Sequence, residues 1–228
     1  MTDKPRITVD VWSDVMCPWC ALGYTQFAKT VSLLKEEIAI EVRWMPFELN
    51  PHLPPEGRSQ AQHLADNYGR SLQEVEQMRA QMAETAERVG FSMEYAGEGE
   101  APEAMMWNTF EAHKLARWVL AEAGPEAQTL IEMALFRAHF QQRRNVGDRE
   151  VLLGIAESEG FDRAKAAEAL DDEALALAVR LEEQRGREAG INSVPSFVVN
   201  GRYIVQGARE PEDYVNMLRK VAGLIQAA

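Results

Sequence analysis

Cys17-Pro18-Trp19-Cys20, inside VWSDVMCPWCALGYTQF, holds the only two cysteines of a 228-residue chain. Two sulfurs at this spacing can clip a metal, crosslink the chain, or cycle between dithiol and disulfide. Structural zinc needs four ligands, yet His52, His63, His113 and His139 show neither H-x₃₋₅-H spacing nor a second C-x-x-C, so no metal is expected. Two inert buried thiols fit poorly with a proline between them and a strand-to-helix junction around them. A redox pair fits that junction. Cys17 stands where a helix begins, and free backbone N–H groups and the helix dipole there stabilise a thiolate. Cys20, one turn on and facing inward, is placed to resolve a mixed disulfide by attacking Cys17. Pro18 suits the first turn, where its missing N–H has no partner. Trp19 adds bulk and shielding but no charge, so the expected potential lies nearer glutaredoxins than the strongest periplasmic oxidants.

Val194-Pro195 supplies a second half of the site. An X-Pro bond opening a strand favours a cis peptide that turns the Val194 backbone toward the cysteines, where an extended substrate can pair with it. A trans proline at the start of an edge strand is the alternative. Asn108 and His113, in WNTFEAH, either line a cleft above the cysteines or sit in a helix core with Trp107, Phe110, Leu115 and Trp118. Asp14 reads as a turn or capping residue, with tuning of the thiolate as the other option. Arg43, Glu48 and Arg202 read as solvated or ion-paired. RAHFQQRRN reads as a charged helix end, the alternative being a receptor for an acidic tail or for glutathione carboxylates. Some of the ten methionines could offer a soft surface, although gap-filling core is their commoner use.

The elements that must position these groups are legible in the apolar spacing. ITVDVWS (7–13) alternates as a strand, helix formers run from about Ala21 to Glu37, and IAIEVRWMPF (38–47) alternates again. Strand, helix, strand over this length is a βαβ unit with parallel strands and a right-handed crossover. The four prolines of PFELNPHLPPEG mark a surface crossing. From Ser59 to about Ala189 the chain reads as helices. Asp148, Asp162 and Asp172 are expected N-caps; Gly90, Gly124-Pro125, Gly160 and Gly190 are expected stops. Ala127, Leu130, Ile131, Ala134, Leu135 and Ala138 form one helical face, and Met133, Phe136 and Phe140 a second stripe. YAGEGEAPEA (95–104) is the expected loop. VPSFVVNGRYIVQG returns to strands around an Asn200-Gly201 hairpin turn, and a helix through Tyr214, Leu218, Val221 and Leu224 or Ile225 closes the chain. This order predicts one mixed sheet split by a helical insertion.

Composition removes other classes. With 24 Lys plus Arg against 36 Asp plus Glu, the formal charge is −12, which repels phosphate backbones and anionic membranes. Neither nucleic acid nor membrane is an expected partner. Strand alternation starts by Ile7 and leaves no room for a secretory signal, so a cytoplasmic location is expected. In a reducing compartment a C-x-x-C pair is more often catalytic or metal-binding than structural.

DVMCPWC after a first strand, RWMPFELNP (43–51), WNTFEAHKLARW (107–118), FRAHFQQRRNVGD (136–148) and VPSFVVNGRYIVQGA (194–208) together resemble the DsbA family of thioredoxin-fold proteins, in its cytoplasmic FrnE-like branch. The likeness covers essentially the whole chain. It implies an α/β, thioredoxin-like fold from residues 1–58 and 190–228, interrupted by an α-helical insertion domain over 59–189. It implies a protein-disulfide oxidoreductase or isomerase in which Cys17 attacks, Cys20 resolves and Pro195 is the cis-proline, with Pro18, Trp19 and Val194 against the substrate. Disulfide or dithiol polypeptides or glutathione are the implied partners, no bound cofactor is implied, and a monomer or homodimer is expected. The neighbouring 2-hydroxychromene-2-carboxylate isomerases and kappa-class glutathione transferases carry Ser where Cys17 stands. Cys17 therefore moves the reading from glutathione-dependent isomerisation toward disulfide exchange.

Overall fold

The computed structural model describes residues 4–226. Its main sheet has four strands: β1 (Arg6–Ser13), β2 (Ala39–Pro46), β5 (Ser196–Val199) and β6 (Tyr203–Gln206), in the order β2-β1-β5-β6. β1 and β2 run parallel, with Val9 opposite Val42, as a helical crossover between them requires. β5 lies antiparallel on the other side of β1, pairing Val9 with Val199, and turns into β6 through Asn200-Gly201, both at positive φ. The strands at the two ends of the chain thus meet in one sheet.

The crossover helix α1 (Pro18–Leu34) buries Phe27, which meets Phe197 of β5 and Tyr214 of α8 (Pro211–Gln226) with ring centroids 5.1 Å apart in each case. Tyr214, Leu218 and Val221 of α8 are buried as the amphipathic pattern requires; the side chains of Leu224 and Ile225 lie outside the described residues.

Between β2 and β5 come α2 (Gln60–Tyr68), α3 (Leu72–Val89), α4 (Phe110–Phe136), α5 (Arg149–Ser158), α6 (Arg163–Asp171) and α7 (Glu173–Glu188). Asp148, Asp162 and Asp172 each accept a first-turn backbone N–H as N-caps. Gly124, at φ 86°, breaks α4 before Pro125, and the chain then resumes as helix instead of ending. Three features were not expected. A two-residue ladder joins β3 (Arg58–Ser59) to β4 (Met105–Met106); a π-helical turn (Arg137–Gln141) follows α4; and the expected buried face of the second half of α4 loses Leu130 and gains two polar residues. Leu130 points to solvent, while Gln128 and Glu132 join Ile131, Ala134 and Leu135 inside. Gln128 is buried because it completes the free edge of β2, its amide accepting from Trp44 N and donating to Trp44 O, each at 2.9 Å.

α7 is fastened close to the site. Gly186 approaches the Trp12 ring so closely that a β-carbon there would stand 2.2 Å from it. Among the described residues, no helix is long and apolar enough to cross a membrane.

Candidate active site

β1 ends at Ser13, and the next residues turn the chain into α1. Asp14, fully buried, holds that turn: its carboxylate accepts from Met16 N at 3.1 Å and from Leu49 N at 2.7 Å. It thereby ties the cysteine loop to the segment after β2. Burial pushes its carboxyl up to about 6 despite those bonds. The turn delivers Cys17 as the N-cap of α1, with extended backbone (φ −82°, ψ 113°) and Pro18 at the first helical position.

Cys20 lies one turn further and is wholly buried. Cys17 and Cys20 lie close together, with Cys20 N–H donating to Cys17 O at 3.1 Å, and the Cys20 thiol is raised well above the ordinary cysteine value, first by burial and then by the neighbouring Cys17 thiol. Cys17 is 4% exposed. Its Sγ points to the carbonyl oxygen of Val194 at 3.7 Å. The Val194–Pro195 peptide is cis, and both cysteines are free thiols.

A cavity of about 610 Å³ gives Cys17 its access, since so little of the residue meets open solvent. Cys17, Pro18, Trp19 and Val194 form one wall. α2 and α3 line the cavity through His63, Tyr68, Met78, Arg79 and Met82, and Met93, Met106, Phe140 and Arg143 complete the lining. Trp19 is half exposed.

Asn108 and His113 do not line this cavity. Asn108 donates to Glu48 at 3.2 Å and to Pro51 O at 3.1 Å, so it fastens the segment after β2. His113 is buried with Nε2 unpartnered, and burial lowers its pKa to about 4. Glu48, read as solvated or paired, is paired but buried, with Arg180 of α7 against its carboxylate. Arg43 pairs with Asp10 at 2.7 Å.

The α3 wall was missed because it reads as one more amphipathic helix. Its signal was Val75, Met78, Met82 and Ala86 on one stripe, with Arg79 beside it.

The family model for a DSBA-like thioredoxin domain matches residues 8–219, nearly the whole chain. The chain belongs to that family. The uncharacterised protein YwbO of Bacillus subtilis is 28% identical over 207 residues, covering 89% of this chain and 90% of YwbO. The probable DsbA oxidoreductase SCO1869 of Streptomyces coelicolor superposes with a TM-score of 0.82 at 27% identity, over 95% of this chain and 90% of its own. The cytosolic disulfide reductase DsbM of Pseudomonas aeruginosa shares the fold, with a TM-score of 0.63 at 14% identity over 95% and 99% of the two chains.

Proposed function

We propose that the chain is a thiol-disulfide oxidoreductase of the FrnE-like branch, working through Cys17 and Cys20 without a bound cofactor. One observation carries the reading: Cys17 caps α1 at the wall of a cavity, with the buried Cys20 thiol against it. The Cys17 thiolate attacks one sulfur of a substrate disulfide; the substrate S–S bond breaks, and a mixed disulfide forms as one substrate thiolate leaves. Cys20 then attacks Cys17 Sγ, its proton passing to the departing thiolate. The second substrate thiol is released, and the enzyme pair is left oxidised by two electrons. Reversed, the same steps oxidise a dithiol.

The Val194 carbonyl beside Cys17 supports the reading, since a substrate backbone N–H can pair with it during the mixed-disulfide stage. Glutathione as the thiol partner and a cytoplasmic location belong to the same proposal, in line with a cytosolic fold relative.

The experiment is insulin reduction under dithiothreitol by wild type, Cys17→Ser and Cys20→Ser. Wild type accelerates reduction, Cys17→Ser does not, and Cys20→Ser accumulates a covalent adduct at Cys17. Undiminished reduction by Cys17→Ser would remove the proposal. Isomerisation of a small substrate with glutathione that survives in Cys20→Ser would favour the isomerase-like alternative.

A further inference from the structure

The cavity beside Cys17 carries a charge arrangement that disulfide exchange alone does not need. Arg79 of α3 and Arg143, two residues after the π-helical turn, both line the cavity. They lie close enough that the charge of Arg79, together with burial, lowers the Arg143 pKa. Arg79 has one weak partner, Glu76 at 3.4 Å, whose carboxylate is largely exposed. Among the described residues Arg143 pairs with no carboxylate. Two guanidiniums lining one cavity, each partly withdrawn from water, repel each other, and an anion bound between them relieves that repulsion.

One further observation points the same way. Arg143 holds a positive φ of 54° two residues after a π-helical turn, a costly backbone for a non-glycine residue and one that collects at ligand sites. Around these donors the lining is soft and apolar, with Met78, Met82, Met93 and Phe140.

We infer that the substrate is a small disulfide bearing a carboxylate, its sulfurs at Cys17, its carboxylate between Arg79 and Arg143, and its apolar part on the methionines. This rests on the exchange reading above and names the substrate class for it. The volume suits a small molecule.

The test uses three small disulfides that differ in charge: 3,3′-dithiodipropionate, bis(2-hydroxyethyl) disulfide and cystamine. Their rates of oxidising the reduced protein are followed by tryptophan fluorescence. The dianion reacts about tenfold or more faster than the neutral compound, against the repulsion of a chain of net charge −12; the dication is slowest. In Arg79→Gln/Arg143→Asn, where Asn tolerates the left-handed backbone, the dianion-to-neutral ratio falls to about one. The exposed Arg149→Gln, outside the cavity, leaves the ratio unchanged. Reaction with all three compounds at similar rates, or a preference that survives the double substitution, overturns the inference and leaves disulfide exchange standing. Reaction with none of them also overturns the inference, and insulin reduction by wild type against Cys17→Ser then decides whether disulfide exchange stands.

Discussion

Gly23, in the second turn of α1, approaches Pro195 so closely that a β-carbon on it would stand 2.9 Å from the proline Cγ and 3.4 Å from Ala208 Cβ. Helix and loop meet here without a side chain between them, and this contact sets how near the Val194 carbonyl comes to Cys17. Alanine would add helix propensity worth about 1 kcal/mol, but displacing a packed proline costs about 1–3 kcal/mol. Gly23→Ala is therefore expected to lower Tm and to slow oxidation by bis(2-hydroxyethyl) disulfide about tenfold, since the reacting geometry moves with the loop. Gly223→Ala, in α8 with no atom within 4 Å of its new β-carbon, is the matched comparison and should raise Tm. Equal effects of the two substitutions would show that the contact does not set the site.

The two thiols differ in reach. Cys20 is fully buried with its ionisation suppressed, whereas Cys17 opens onto the cavity. Brief treatment of the reduced protein with iodoacetamide at pH 8 should give one adduct, mapped to Cys17 by peptide mass spectrometry, and two adducts only in denaturant. Comparable labelling of both cysteines in the native protein would contradict the shielding of Cys20.

Arg180 of α7 joins the buried Glu48 and the buried Glu183, 3.2 Å away, while its guanidinium covers the Phe110 ring with the ring centroid at 3.6 Å. Arg180 itself is about half exposed, so water screens part of the interaction. Arg180→Met leaves two carboxylates buried without their cation and should cost roughly 1–3 kcal/mol in urea unfolding, below the 3–5 typical of a fully buried pair. Adding Glu48→Gln should restore part of that loss. A double variant as unstable as the sum of the single ones would mean that the two residues do not interact.

What the sequence revealed of the fold was what periodicity and turn chemistry encode. Asp148, Asp162 and Asp172 cap helices because a short carboxylate followed by helix formers has little else to do. Asn200-Gly201 turns the hairpin because both residues accept positive φ. Leu130 and Gln128 show where local pattern fails. An apolar residue faces solvent and an amide is buried, because the unpaired edge of β2 needed hydrogen bonds that no window around residue 128 can reveal. The cavity was hidden for a related reason. Cys17 and Val194 announce themselves by type, and the RAHFQQRRN cluster offered Arg143 as one of several basic residues, but that Arg79 lines the same cavity shows only once α3 is packed against the cysteine loop.

Glu132, buried in α4 beside Asp14, offers the clearest pH test. Burial, and secondarily the Asp14 charge, raise its carboxyl from an ordinary 4.5 to about 8, so the folded protein keeps a proton that the unfolded chain gives up. A raised carboxyl costs stability as pH rises between its unfolded and folded values, at about 1.4 kcal/mol per pH unit. Asp14 acts in the same direction, but only up to about pH 6. His113 and His139, lowered to about 4 and about 3, act in the opposite direction and only below about 6.5. Between pH 6.5 and 8 Glu132 therefore titrates with little interference from these three. Urea unfolding of the wild type should lose about 2 kcal/mol over that interval, whereas Glu132→Gln, which keeps a donor and an acceptor in the same space, should lose almost none and be the more stable protein at pH 8. Parallel profiles for the two proteins would mean that Glu132 is ionised in the fold, with a cation or water partner near its Oε2.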